Sequence, residues 1–275
     1  MGIGTLFGGK NQDKERLMPT VDFMIPCYWK DAPKLHAPGI VKKMVDSHAY
    51  SFNKILIVHQ NCAKVENELR PITEVPNIEI VKTEESPNIL TEFGIPENDP
   101  DADYWTHGPT SPHYWKWHVI NHLNALKASK ADYFVCTDSD VTMVKNGPPS
   151  WVERGIEILN RYPNVLVVSP DEGGSECSKR IPEGRLVQTM SQQIFICKRE
   201  RLSKINFHIP YDSSALNSDP SKRKSTKLAP FGPMQEFYFM LEGRIWRWLD
   251  NQNLFRCMLD NRWRYWHWQG KIGGD

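Results

Sequence analysis

The segment YFVCTDSDVTMV, residues 133–144, joins a short apolar run to two aspartates that are separated by one serine. The run YFVC is aromatic and β-branched, so it predicts a buried strand. Ligands bind in open α/β sheets just beyond the carboxyl ends of the strands. Two carboxylates held at such a place repel each other, and a divalent cation relieves that repulsion. The segment therefore predicts a Mg²⁺ or Mn²⁺ site formed by Asp138 and Asp140, and a solvated turn in which one aspartate caps the next segment is the alternative.

Strand-like and helix-like segments alternate on both sides of this motif. Further apolar runs that predict buried strands are VDFMIPCYW (21–29), KILIVHQN (54–61), IEIV (78–81) and NVLVVSP (164–170). Helical spacing follows in residues 38–50 and 111–126, and Ser150 with Glu153 has the spacing of a capping box. This alternation predicts an α/β fold, with a mostly parallel sheet covered by helices on both faces.

The chain has no internal repeat and no clear domain linker, so we expect one domain at residues 20–275 with an elaborated C-terminal third. Residues 1–19 are expected to be a flexible leader. Residues 84–103 carry seven acidic residues, three prolines and no lysine or arginine. That composition predicts a long loop, which is typical of either a functional or a disordered segment.

Composition excludes several classes of protein. The 275 residues include 34 Lys plus Arg against 33 Asp plus Glu, so no global charge points to nucleic acid or to an anionic membrane. No stretch approaches the roughly 20 apolar residues of a membrane span, and the N-terminus lacks a signal-peptide pattern, so we expect a cytoplasmic protein. Six cysteines occur without a C-x-x-C pair, which favours free thiols over disulfides or zinc.

The acidic pair Asp138-Ser139-Asp140 resembles the DxD signature of GT-A glycosyltransferases, particularly of the family-2-like group. The resemblance covers roughly residues 21–268 in pattern and order. It implies a GT-A-like fold in which residues 20–145 bind a nucleotide sugar and residues 146–275 bind the acceptor. It also implies Mn²⁺ or Mg²⁺ as cofactor, a nucleoside-diphosphate sugar as donor, and transfer of the sugar to an acceptor hydroxyl.

The same resemblance implies which residues contact the donor. These positions are Pro26, Cys27 and Tyr28 after the first strand, His59 and Asn61 after the second, Lys116 in the helix before the motif, and Ser139 between the aspartates. In the family, the second strand commonly ends in an acidic residue at the base or ribose, whereas residues 59–61 here read HQN. The identity of the base is therefore left open. An ordinary surface lysine is the alternative for Lys116.

Two residues of the second half match later elements of the family. The stretch GPMQEFYF resembles the helix that carries the general base of inverting enzymes, and it places Glu236 at that position. An acidic residue that merely interacts with the helix dipole is the alternative. His267 resembles the late histidine that completes the metal coordination, and a packed structural histidine is the alternative there.

Other functions also fit parts of the sequence. DSDVT fits the opening motif of haloacid-dehalogenase-like phosphatases, but that family carries it on the first strand, and no later Gly-Asp motif completes the site. A non-catalytic module that binds sugars or nucleic acid is a further alternative, with Trp263, Trp266 and Trp268 as stacking residues. The basic segment 222–227 leaves glycan, protein or nucleic acid open as the acceptor.

Overall fold

The computed structural model describes residues 19–27, 31–60, 71–83, 87–95, 114–173, 177–191, 193–207 and 241–267. The strands in these ranges are β1 (Val21–Cys27), β2 (Lys54–Gln60), β3 (Ile78–Thr83), β4 (Tyr133–Thr137), β5 (Val141–Asn146), β6 (Val165–Ser169), β7 (Lys179–Ile181), β8 (Gly184–Val187), β9 (Ile194–Lys198), β10 (Phe255–Leu259) and β11 (Trp263–His267). The helices are α1 (Ala32–Leu35), α2 (Ile40–Ser47), α3 (Pro87–Glu92), α4 (Tyr114–Ala128), α5 (Trp151–Arg161), α6 (Arg199–Leu202) and α7 (Leu241–Asn251).

Nine of these strands form one sheet in the order β3-β2-β1-β4-β9-β6-β10-β8-β7. Only β8 and β9 run against the other seven described strands of this sheet, which confirms the predicted mostly parallel sheet. The chain moves outward from β1 to β3 and then returns to place β4 on the other side of β1. Such a reversal leaves a crevice at the carboxyl ends of β1 and β4. The remaining two strands, β5 and β11, form a separate antiparallel ribbon.

Hydrophobic cores lie on both faces of the sheet, as predicted. Phe23 and Ile25 belong to the core that includes residues of α2 and α5. Met24, between them, belongs to the opposite core, which includes residues of α4 and α7. Successive side chains of a strand point to opposite faces, so β1 is buried on both sides. The apolar run at residues 23–25 reflects this double burial.

The capping box at the start of α5 is also confirmed. The Glu153 backbone N–H donates to Ser150 Oγ at 3.3 Å, and the Ser150 N–H donates to Glu153 Oε2 at 2.7 Å. Such a cap contributes about 1 kcal/mol to helix stability. The Trp151 N–H donates to Asn146 Oδ1 at 2.9 Å. These bonds fix the path of the chain from β5 into α5.

The loop prediction for residues 84–103 is wrong in part, because residues 87–92 form α3. Ile89 and Leu90 are buried in the core beside α4, and Ile95 after the helix is buried there too. Packing of these three apolar side chains outweighs the acidic and proline-rich composition, which gave no helical periodicity.

All described cysteines are free, in agreement with the sequence prediction. Four of them are buried and Cys177 is exposed. Among the described residues, none of the helices has the length and apolar character needed to cross a membrane.

Acidic pH is expected to destabilise the protein partly through His48. This fully buried residue accepts a hydrogen bond from Trp151 Nε1 at 2.8 Å, and burial lowers its pKa from 6.5 to about 3. Between these values only the unfolded chain binds the proton, so the free energy of unfolding falls as the pH drops from 6.5 towards 3. At pH 5 the expected loss is about 2 kcal/mol. Denaturant unfolding at pH 7 and pH 5 measures it; an equal loss in His48→Gln would contradict the assignment.

Candidate active site

The acidic motif forms the turn between β4 and β5 at the carboxyl edge of the sheet. The Val141 N–H donates to the Asp138 carbonyl at 3.2 Å, which closes the turn. The Asp138 N–H donates to the Gln193 carbonyl at 2.8 Å, just before β9 begins. Ser139 is buried between the two aspartates. The backbone therefore holds both carboxylates at the end of a rigid, fully buried strand.

Asp138 carries an unsatisfied carboxylate oxygen. Its Oδ1 atom is shielded from solvent and accepts no hydrogen bond from any described residue. Burial raises the pKa of Asp138 well above its usual value, and the nearby carboxylates of Asp140 and Glu242 raise it further. A buried carboxylate oxygen that lacks a hydrogen-bond donor and lies near like charges is unfavourable by itself. A bound cation would pair with the buried oxygen and would relieve the repulsion between the carboxylates.

The ribbon brings His267 to the same place. His267 lies opposite Val141 in the pairing of β11 with β5. Its Nε2 atom is 3.2 Å from Asp140 Oδ2. The structure thus places two of the residues that the family resemblance implied as metal ligands, Asp140 and His267, in contact, and the third, Asp138, is close enough for the charge of Asp140 to act on it. It adds Glu242 of α7, whose charge acts on Asp138 and which nothing in the sequence indicated.

These residues fit a cation whose remaining ligands come from a bound substrate. Within the described ranges, no group of three or more His, Cys, Asp or Glu side chains is arranged to hold a metal by itself. Mg²⁺ is commonly bound by one or two carboxylates together with substrate phosphates, and carboxylates suit Mn²⁺ equally. Asp138 and Asp140 match that pattern better than they match a closed protein cage.

A chain of hydrogen bonds stands behind His267, and we name it the His267 relay: Gln193, Tyr265, Glu172 and Arg256. Gln193 Nε2 lies 3.1 Å from His267 Nδ1. The Tyr265 hydroxyl lies 2.7 Å from Gln193 Oε1 and 3.2 Å from Glu172 Oε2. Arg256 donates to both oxygens of Glu172, at 2.5 and 3.3 Å. None of these four residues was predicted from the sequence.

The far end of the relay is an ion pair whose guanidinium is buried. The side chains of Arg256 and Glu172 are 2% and 29% exposed. Burial alone would raise the pKa of Glu172, but the Arg256 charge and hydrogen bonds from Arg256, Tyr265 and Ser191 lower it below its usual value. Burial also raises the pKa of Tyr265, so its hydroxyl keeps its proton. Glu172 therefore remains a carboxylate and Tyr265 remains a donor.

The structure buries four of the side chains that the sequence predicted at the donor, namely Ser139 in the acidic turn and three in β1 and β2. Pro26, Cys27 and His59 all point into the protein interior. His59 Nε2 is 2.9 Å from His36 Nε2, and burial, followed by the charges of His36 and Lys82, lowers the pKa of His59 to about 4. Side-chain contact with a nucleotide is blocked at these positions because both faces of β1 and β2 are covered.

Other predicted positions lie outside the described residues. Tyr28, Asn61 and Glu236 belong to this group, and so does the side chain of Lys116, whose backbone lies in α4.

Two of the tryptophans that the sequence suggested as stacking residues are described. Trp263 is fully buried and donates from Nε1 to the Gly147 and Pro149 carbonyls, whereas Trp266 is 56% exposed beside His267.

Protein-family models and curated protein sequences give no match to this chain. Solved structures give matches at 12–16% sequence identity. One is a mannosyltransferase from Pyrobaculum calidifontis in complex with GDP-Man and Mn²⁺, at 16% identity and a TM-score of 0.35, covering 66% of this chain and 45% of that one. Another is glucosyl-3-phosphoglycerate synthase from Mycobacterium tuberculosis with Mg²⁺ and UDP, at 14% identity and a TM-score of 0.36, covering 66% and 57%.

A third is mannosyl-3-phosphoglycerate synthase from Rubrobacter xylanophilus, at 13% identity and a TM-score of 0.32, covering 66% of this chain and 54% of that one. The chain thus spans about half the length of these three solved chains. Similarity at this identity and TM-score does not transfer the activity of these enzymes to this chain.

Proposed function

We propose that the chain is a metal-dependent glycosyltransferase with a GT-A-like fold, which moves a sugar from a nucleoside-diphosphate sugar to an acceptor hydroxyl. The observation that carries the proposal is the Asp138-Ser139-Asp140 turn. It lies at the carboxyl end of a buried strand, beside the crevice of the sheet, with one carboxylate oxygen buried and unpaired. That arrangement suits a cation that bridges the protein to a diphosphate.

The residues of the site have distinct roles in this proposal. Asp138 and Asp140 bind the cation, and His267 orients Asp140 or joins the ligands. When bound, Mn²⁺ or Mg²⁺ stabilises the negative charge that develops on the departing diphosphate. The donor lies across the edge of residues 20–145, with contacts from the backbone at the ends of β1 and β2. The acceptor then lies against residues 146–275.

Glu236 is proposed as the general base that takes the proton from the acceptor hydroxyl. This assignment comes from the family resemblance of GPMQEFYF, and with it comes inversion at the anomeric carbon. A carboxylate suits the role if it stays ionised within hydrogen-bond distance of the attacking oxygen. The acceptor is a glycan, a protein or a nucleic acid. NMR of the product decides the stereochemistry.

A panel of UDP, GDP, CDP, ADP and dTDP sugars, incubated with the protein and Mn²⁺, tests the activity. A glycosyltransferase should bind one nucleoside diphosphate in a Mn²⁺-dependent manner and slowly hydrolyse the matching nucleotide sugar. Release of inorganic phosphate without consumption of any nucleotide sugar would favour a phosphatase instead. A sugar-binding module would give neither product.

Asp140→Ala is expected to weaken Mn²⁺-dependent binding of the nucleoside diphosphate at least about tenfold, because even residues that only support metal ligands contribute this much. Calorimetric titration with and without Mn²⁺ measures the loss. Asp260→Ala is the matched control, because Asp260 is a surface partner of Arg262. Equal affinity of Asp140→Ala and the wild type would exclude Asp140 from the cation site.

A further inference from the structure

One face of the ribbon formed by β5 and β11 is exposed. Successive side chains of a strand point to opposite faces, so Tyr265 is buried on one side of β11, whereas Arg264 and Trp266 lie on the other side. Trp266 is 56% exposed, and Arg264 is exposed as well. Lys145 of β5 lies directly opposite Arg264 and is also exposed. We name Lys145, Arg264 and Trp266 the outer ribbon face.

The two cations of the outer ribbon face are unfavourable for the fold itself. Lys145 and Arg264 occupy directly opposed positions of two antiparallel strands, where like charges destabilise the pairing. Neither side chain forms an ion pair or a hydrogen bond with any residue that the structure describes. By contrast, the nearby Arg262 is paired with Asp260. An anionic ligand would supply the counter-charge that the fold does not provide.

The outer ribbon face leads to the acidic turn. β5 begins directly after Asp140, and its first residue pairs with the last residue of β11. Trp266 is the next residue along the ribbon, and Arg264 with its neighbour Lys145 lies about 7 Å further, at two residues of strand length. A ligand that lies along this face therefore has one end beside the acidic turn.

An exposed indole beside two cations suits an acidic sugar. The ring of tryptophan offers a flat apolar surface for the apolar face of a sugar ring. Guanidinium and ammonium groups bind carboxylate, sulfate or phosphate. A single-stranded nucleic acid would need a basic groove with several aromatic side chains for successive bases. The described residues of this face include one exposed aromatic side chain, and the whole chain has a net charge of only +1, so a glycan fits better.

We propose that the outer ribbon face binds the acceptor, and that this acceptor is an acidic glycan. One sugar stacks on Trp266, and an anionic group on that sugar or on the next one pairs with Lys145 and Arg264. The end of the glycan that reaches the acidic turn carries the hydroxyl that receives the transferred sugar. The inference rests on the proposed function, because it requires sugar transfer to take place at that turn.

Binding of defined saccharides without metal and nucleotide tests the surface. The acidic probes are tetragalacturonate, a heparin-derived tetrasaccharide and glucose 6-phosphate, which carry carboxylate, sulfate and phosphate groups. Neutral cellotetraose and an oligothymidylate serve for comparison. We expect at least one acidic probe to bind about tenfold more tightly than cellotetraose, and to bind less tightly as salt is added. Absence of binding by all three, or tighter binding of the oligothymidylate, would overturn the inference.

Replacing both cations, Lys145→Gln with Arg264→Gln, is expected to weaken binding of the acidic probe about tenfold, because two contacts to its anionic group are lost. The thermal stability should stay the same or rise, because two like charges are removed. Lys179→Gln with Arg180→Gln is the matched control, since these neighbouring cations are exposed on the edge strand β7. Equal affinity of the two double variants would overturn the role of Lys145 and Arg264.

Trp266→Ala is expected to weaken binding of the acidic probe about tenfold, the size of effect found for tryptophan at binding surfaces. The indole ¹⁵N–H signals of the protein provide a second measurement, because the signal that is missing in Trp266→Ala should shift in the wild type when the probe is added. A bound probe that leaves this signal unmoved would place the glycan elsewhere and overturn the inference.

Mn²⁺-dependent binding of a nucleoside diphosphate to the wild type separates this inference from the proposed function. If the nucleotide binds and no acidic probe does, the acidic-glycan acceptor fails and the proposed function stands. If an acidic probe binds and no nucleotide does, the proposed transfer fails, and with it the role of the glycan as acceptor. With both bound, the probe should speed up consumption of the matching nucleotide sugar; an unchanged rate would overturn its role as acceptor.

Discussion

Replacing Asp138 with asparagine is expected to stabilise the metal-free protein and to abolish its response to Mn²⁺. Asp138 has a buried oxygen that no described residue hydrogen-bonds, and burial together with Asp140 and Glu242 disfavours its charged form. Asparagine has nearly the same shape and no charge, so the penalty disappears with the substitution. The affinity for Mn²⁺ should fall more than about 100-fold, because a ligand is lost and not only its support.

Thermal unfolding of the metal-free protein, and of the protein with the nucleoside diphosphate in the presence and absence of Mn²⁺, shows both effects. A ligand at 100 times its dissociation constant stabilises the folded state by about 2.7 kcal/mol, or roughly 5 to 10 °C for a protein of this size. The wild type should show this shift and Asp138→Asn should not. Asp132→Asn is the control, because Asp132 is exposed and immediately precedes β4, at the opposite end of the strand from the acidic turn. A metal-free Asp138→Asn protein less stable than the wild type would contradict the electrostatic account of the site.

Glu172→Gln is expected to lower the free energy of unfolding by about 3 kcal/mol, because it leaves a buried guanidinium without its counter-charge. The Arg256 side chain is only 2% exposed, and its Nε atom has no hydrogen-bond partner among the described residues. Glu172 supplies both of the charged contacts that compensate for this burial. Urea denaturation measures the loss.

Two further variants distinguish the cost of the unpaired buried charge from other losses of stability. Asp46→Asn removes one partner of an exposed pair with Lys42 and should cost less than about 0.5 kcal/mol. Adding Arg256→Met to Glu172→Gln removes the unpaired charge and should recover most of the lost stability. If the double variant is no more stable than Glu172→Gln, the cost arises from packing at residue 172.

Sequence patterns were sufficient for β1, β2, β4 and β6 because double burial leaves a strong signal. The continuous apolar runs at residues 23–25 and 133–136 reflect strands covered on both faces, and the acidic turn follows shortly after the second run. The turn could be predicted for the same reason, since its position depends on only one strand. His267 required the family resemblance, because its partner Asp140 lies 127 residues earlier in the chain.

The relay could not be predicted, because it depends on the order of strands in space. Gln193 precedes β9, Glu172 follows β6 and Tyr265 lies in β11. These segments meet because β9 lies between β4 and β6 and because β11 pairs with β5 and bridges to Asp171. Single glutamine and tyrosine residues carry no periodic signal. Likewise, the pattern showed where β1 and β2 end but not that Cys27 and His59 point inward. Helix α3 was missed because its stability comes from tertiary packing of Ile89 and Leu90.

Anomalous diffraction at the manganese absorption edge tests the cation site most directly, using crystals grown with Mn²⁺ and the nucleoside diphosphate that binds best. We expect one strong peak in contact with the carboxylates of Asp138 and Asp140 and with the diphosphate. A diphosphate bound in the crevice with no peak between it and these two side chains would contradict the proposed role of the acidic turn.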